Sequence, residues 1–169
     1  MYIIFLTHVF LTLFMLGVIW FVQFLHYPLL SLIEGESFCL YQRYHFRRML
    51  CVISLPMLVE FVTGWWLLYE KIPVGSVGLL RINAGFLTLI WISSLCLQVP
   101  MHLKLIKSFD VHAHHHLVST NWIRTVAWTV RSLLLGYIVY GLLMDNHCYG
   151  NVSNTTNRAM NRSGSTMKK

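Results

Sequence analysis

The chain has 169 residues, 56% of them hydrophobic and only 11% charged, with 13 Lys and Arg against 6 Asp and Glu. Soluble domains carry about a quarter charged residues, so this is the composition of a membrane chain; disorder is excluded for its body, and four scattered cysteines without a C-x-x-C exclude a disulfide framework and disfavour a thiol oxidoreductase. The net charge of +7 asks for no nucleic-acid partner, because basic residues flanking membrane spans meet anionic headgroups.

Residues 1–33 contain no Lys, Arg, Asp or Glu, a run longer than the ~20 apolar residues a spanning helix needs. The run is too long for a cleavable leader, no basic residue precedes Arg43, and no small-x-small site follows, so it is read as a retained span. Spans are expected at about 3–30, 49–69, 82–101 and 122–144, the second broken only by Glu60 and the fourth, past Arg124 at its start, only by Arg131. The links 34–48, 70–81 and 102–121 are short, with Pro73, Gly75 and Gly78 marking a turn region in the second, so neighbouring helices run antiparallel. Residues 146–169 are rich in Asn, Ser and Thr and read as a disordered polar tail, with sequons at Asn151, Asn154 and Asn161 that can take glycans only on an outward tail of a eukaryotic protein. The expected fold is an all-α, integral membrane, antiparallel four-helix bundle with a disordered C-terminal tail and the lipid bilayer as its partner.

Orientation follows from Lys and Arg near the span ends. The first and third links carry Arg43, Arg47, Arg48, Lys104 and Lys107, with Arg124 just inside the fourth span, whereas the second carries Lys71 and Arg81. The first and third links are therefore expected in the cytoplasm and both termini outside, in a plasma or inner membrane. Arg158, Arg162, Lys168 and Lys169 oppose this weakly, because they begin fourteen residues past the last span.

An ionisable group in hydrocarbon costs several kcal/mol, so Glu60 and Arg131 require partners. Counted from Met49 and Trp122 they lie at depths differing by about 3 Å at 1.5 Å per residue, which allows an ion pair. That pair serves either to fix the second helix against the fourth or as part of a site. The other polar residues gather towards one mouth of the bundle: Gln23, His26 and Tyr27 on the first helix, Gln98 and His102 on the third, Asn121, Arg124, Thr125 and Trp128 on the fourth, and Tyr44, His45 and Arg47 just outside the second. The outer half holds little beyond His8, Thr12, Thr63, Asn83 and Thr88. Gln23 and Gln98 are read either as ligand contacts or as hydrogen bonds between helices. His112-Ala113-His114-His115-His116 matches an H-x-x-H-H box of membrane di-iron oxygenases, but the companion boxes are missing and a solvated His-rich loop explains the run equally well.

Trp20-Phe21 followed by Pro28, Arg47-Arg48, Pro56-Met57 and Gly64-Trp65-Trp66-Leu67 resemble the four-helix HemJ-type protoporphyrinogen oxidases and CopD-like membrane proteins over the first two helices. Those oxidases carry a haem-ligating His about seven residues before the Trp and a functional Lys in helix three; here Leu13 takes the first position and the third helix has no Lys. His26-Tyr27-Pro28, Gln98-x-Pro100-x-His102 and Asn121-Trp122-Ile123-Arg124-Thr125 resemble a set of uncharacterised bacterial four-helix membrane proteins over most of the chain. The resemblance implies a membrane redox protein holding haem, a porphyrin or a transition metal. Its ligands would be His26 and His102, with His45 beside them, while Arg131 and Arg124 meet anionic groups and Glu60 orients Arg131 or relays protons. Two readings stand beside it: a carrier or binding protein, as a homo-oligomer, in which Arg131 receives a small anionic ligand and Glu60 is its resting counter-ion, and a cofactor-free assembly factor.

Overall fold

The computed structural model describes residues 2–33, 37–70 and 76–166, with side chains described up to position 144. By its internal contacts the chain divides into Met1–Leu135 and Gly136–Lys169. Every residue discussed as a site belongs to the first unit; the second is helical backbone through Thr166. The three sequon side chains of the 146–169 segment lie outside the described residues.

The structure is all-α. It consists of α1 (Tyr2–Phe21), a π-helical turn (Val22–His26), α2 (Tyr27–Leu30), α3 (Ser37–Trp66), α4 (Ser76–Ser93), a second π turn (Ser94–Gln98), α5 (Val99–Lys107) and α6 (Val111–Thr166). Four stretches are long and apolar enough to cross a bilayer: Tyr2–Leu30, Ser37–Trp66, Val77–Lys107 and Val111–Met144. Their outward faces are greasy, with Leu13, Leu55, Ile92 and Val126 exposed, while the polar side chains turn inward. A soluble bundle has the reverse pattern; here the surrounding solvent is lipid.

Helices begin earlier and links are shorter than the sequence predicts. α3 starts at Ser37, so Gln42, Arg43, His45, Arg47 and Arg48 are helical rather than in a loop. Phe38 and Gln42, one turn apart, are fully buried and draw this amphipathic segment onto the bundle. α4 starts at Ser76, which places Gly78 inside a helix; Pro73 and Gly75 lie outside the described residues. The third link shrinks to a turn because Asp110 caps α6, its Oδ1 accepting the N–H groups of His112 (2.9 Å) and Ala113 (3.1 Å). The Lys104 ammonium beside Asp110 and the Ala113 N–H hold its carboxyl below the usual carboxylate range. Buried Ala113 and Leu117 then carry the first turns of α6, so the histidine run His112–His116 is helical, not a loop.

Each π turn has a proline as its cause. Tyr27 N–H donates to Val22 O and Val99 N–H to Ser94 O, five residues back, one residue before Pro28 and Pro100. A proline ring collides with the carbonyl four residues earlier, and widening the preceding turn by one residue removes the collision. The extra residue rotates the following side chains by about 100° relative to an unbroken helix. His26 and Tyr27 on the first span, and Gln98 and His102 on the third, thereby share one end of the bundle core.

Four threonine hydroxyls are satisfied within their own helices. Thr88, Thr120, Thr125 and Thr129 each donate to the carbonyl four residues back, at 2.7–3.1 Å. Gly64 marks the closest helix approach: a Cβ there would stand 2.7 Å from Leu87 Cδ2 and 2.9 Å from His8 Cε1.

Candidate functional site

Two polar centres occupy the bundle, and the residues expected to act together divide between them. The first surrounds Glu60 and Arg131, which do form an ion pair: Arg131 Nη1 donates to Glu60 Oε1 at 2.6 Å, and neither side chain has any exposed surface. Glu60 also accepts the Thr12 hydroxyl (2.8 Å) and the Trp128 indole N–H (3.3 Å to each oxygen). Arg131 donates through Nε to Asn83 Oδ1 (3.1 Å) and through Nη2 to His8 Nε2 (3.4 Å). Thr63 gives its proton to the Val59 carbonyl (2.7 Å), so His8 Nδ1–H donates to Thr63 Oγ1 (2.9 Å) and Nε2 is left to accept from Arg131. One histidine tautomer thus closes the network from the third span's Asn83 through the fourth and first spans to the second.

This centre departs from the expected grouping. Counted from Ser37, Glu60 lies in the last third of α3, so the ion pair belongs with the outer-half residues His8, Thr12, Thr63 and Asn83, not with the mouth cluster. Arg131 has a partner at each of its three nitrogens, and the pair is closed, with Glu60 as its counter-ion.

The second centre is the mouth cluster, which encloses a cavity of about 120 Å³. Its floor and sides are apolar, from Met15, Ile19, Val22, Met49, Ile53 and Met57, and its polar lining comes from His26, His45, Gln98, His102 and Arg124. Tyr27 OH donates to Gln98 Oε1 (3.1 Å), and Gln98 Nε2 donates to Thr120 Oγ1 (2.9 Å). Gln23, whose Oε1 accepts from Asn121 Nδ2 at 2.7 Å, is not on the cavity wall; it joins the first span to the fourth. Gln42 Nε2 donates to His102 Nδ1 (2.8 Å), which leaves His102 Nε2–H as that ring's donor. His114 Nε2 donates to the Tyr27 carbonyl (3.1 Å), giving one member of the histidine run a packing role.

Two groups in this cavity lack partners. His26 Nε2 and Arg124 Nε are buried without a hydrogen bond among the described residues. Arg124 is 8% exposed, is in no ion pair there, and has its guanidinium carbon 5.4 Å over the Trp128 ring. Cation–π contact offsets only part of the cost of a buried cation. Trp128 consequently stands between the two centres, its indole N–H on Glu60 and its face under Arg124.

The histidines do not converge on a metal. His26 and His45 stack with centroids 3.8 Å apart and planes 15° from parallel. Nitrogen lone pairs lie in the ring plane, so stacked imidazoles direct them along parallel planes and not to one ion. Among the described residues no group of three or more His, Cys, Asp or Glu side chains is placed to hold a metal. The cavity is close in size to the ~150 Å³ space that accepts benzene, too small for a porphyrin macrocycle. As stacked, His26 and His45 do not chelate one ion between them, and the cavity as it stands is smaller than a porphyrin macrocycle.

Glu60, Arg131, His26, His45, His102 and Arg124 were recognisable in the sequence as intramembrane polar groups. His8, Asn83, Gln42 and Trp128 were not assigned to a site. Asn83 was hidden by placing the start of its span at 82, six residues after the helix begins at Ser76, and Gln42 by reading its segment as a loop. The spacing of His8, Thr12, Met15 and Ile19 along one buried helical face was the available signal for His8.

Fold and composition together define a multi-pass membrane four-helix protein. Compared with family models, curated proteins and solved structures, the chain matches none.

Proposed function

We propose that this protein binds a small anionic molecule with an apolar body inside the membrane, with Arg124 as the anchoring cation. The observation that carries this reading is a buried arginine with no carboxylate partner among the described residues, on the wall of a largely apolar cavity. A carboxylate or similar anion would supply the missing counter-charge and accept from the planar N–H fork, the pairing for which arginine is best suited. The His102 Nε2–H and the unpartnered His26 Nε2 offer further polar contacts, and the apolar wall takes a ring or short chain. On this reading the Glu60–Arg131 centre holds the fold. The basic residues around the mouth, Arg43, Arg47, Arg48, Lys104 and Lys107, support a cytoplasmic position for the cavity, with both termini outside.

Benzoate, a single ring carrying one carboxylate, is a compact probe with the required charge. In lipid nanodiscs, calorimetric titration is expected to show benzoate binding that weakens at least tenfold in Arg124→Gln and is partly retained in Arg124→Lys, while neutral benzamide does not bind. Equal benzoate affinity in wild type and Arg124→Gln, or equal binding of benzamide, overturns the reading. A haem, as the resemblance to the oxidases implies, requires the cavity to widen and the His26–His45 stack to open. A Soret band that shifts when the purified protein is reduced with dithionite would favour haem over the anion.

A further inference from the structure

We infer that the molecule held at Arg124 is a single-chain anionic amphiphile drawn from the bilayer, its head in the cavity and its chain leaving between His45 and Met49. This inference rests on the anion reading above and specifies the class of ligand. A second depression, of about 410 Å³, lies on α3 and is lined by Tyr41, Tyr44, His45, Arg48, Met49 and Val52. These positions share one helical face, and Tyr41, Tyr44 and Val52 are exposed there. His45 and Met49 line this groove and the cavity alike, so the same two side chains border the interior and the lipid-facing surface. An unbranched methionine is the most adaptable apolar residue for such a border.

The groove has the polarity of a capture site for an amphiphile. Tyr41, Tyr44 and Arg48 form its outer part, the aromatic and cationic combination found at the headgroup level of membranes. Val52, a turn deeper, continues into the apolar outward face with Leu55. An anionic head that exchanges Arg48 for Arg124 moves from a hydrated cation to a buried one, and the chain behind it stays in hydrocarbon throughout. A wholly water-soluble anion would gain nothing from a groove on the lipid-facing side. The cavity alone accommodates a benzene-sized body, whereas cavity and groove together accommodate a chain.

The test is photo-crosslinking in nanodiscs with dodecanoate carrying a diazirine at mid-chain, read by peptide mass spectrometry. Label is expected to concentrate on Met49, Val52 and Tyr44, to fall at least fivefold in Arg124→Gln, to survive in part in Arg124→Lys, and to be displaced by unlabelled dodecanoate. Displacement by dodecyl phosphate as well would assign the site to anionic heads in general, and its failure would restrict it to carboxylates; both outcomes support the amphiphile. Label spread evenly over lipid-facing positions such as Leu58 and Val62, or label indifferent to Arg124 while benzoate binding still requires it, overturns the inference and leaves the anion reading standing. If benzoate binding itself ignores Arg124, the anion reading fails instead.

Discussion

A carboxylate and a guanidinium with no exposed surface can persist in hydrocarbon only as a pair, and Glu60 and Arg131 are surrounded accordingly. Removing one partner leaves the other charged and buried, whereas removing both leaves neutral amides near Thr12, Asn83 and Trp128. Glu60→Gln and Arg131→Gln are each expected to cost about 3–5 kcal/mol of stability, and the double variant less than their sum. Unfolding equilibria in mixed micelles measure this cycle; additive losses would mean that the pair contributes no coupling. The pair was legible in the sequence because two charges in apolar spans have few alternatives. Its shell of His8, Asn83 and Trp128 was less so, because each of these residues also has an ordinary packing role and only the register of the spans brings them to the same depth. Arg124 shows the converse: it reads in the sequence as one cation of many near a membrane surface, and its lack of a partner is visible only in three dimensions.

At the level of elements, the two π turns set the shape of the cavity. Pro28→Ala and Pro100→Ala restore an N–H and relieve the ring clash, so each helix is free to return to regular hydrogen bonding. The expected outcome is a melting temperature close to wild type with severalfold weaker benzoate binding, since His26 and Gln98 rotate away from the cavity; unchanged affinity in both variants would show that the π turns do not position the site. The α6 cap makes a second prediction at this scale. The Asp110 carboxyl is held below its ordinary value, so its stabilisation is complete above the usual carboxylate pKa and is lost as pH falls through the lower folded value. Asn is an equally good cap and does not titrate. Melting temperatures followed from neutral to acidic pH should therefore fall further for wild type than for Asp110→Asn, and superimposable profiles would remove Asp110 as a contributor. The four spans were legible from hydropathy alone. Their true ends were not, because the amphipathic first turns of α3 and α6 bury residues such as Phe38, Gln42 and Leu117 without adding to an apolar run.

For the molecule as a whole, the division into an outer ion-pair centre and a cavity at the mouth, joined by Trp128, separates what holds the bundle together from what is available to a ligand. Composition showed a membrane chain, and apolar runs with short links a helical bundle, while the separation of the two centres needed the register between spans, which no single helix encodes. The ion pair also constrains how the protein is made. Arg131 follows Glu60 by 71 residues. At a synthesis rate of about 5–20 residues per second the carboxyl therefore waits roughly 4 to 14 s for its cation. In that interval α1 has already supplied Thr12, but α6 does not yet exist, so Glu60 has no span-borne cation to meet. The last helix delivers the charge that lets the second one settle, and a chain released before Arg131 carries an unmatched acid in its bilayer segment, a chemical mark by which incomplete copies differ from finished ones.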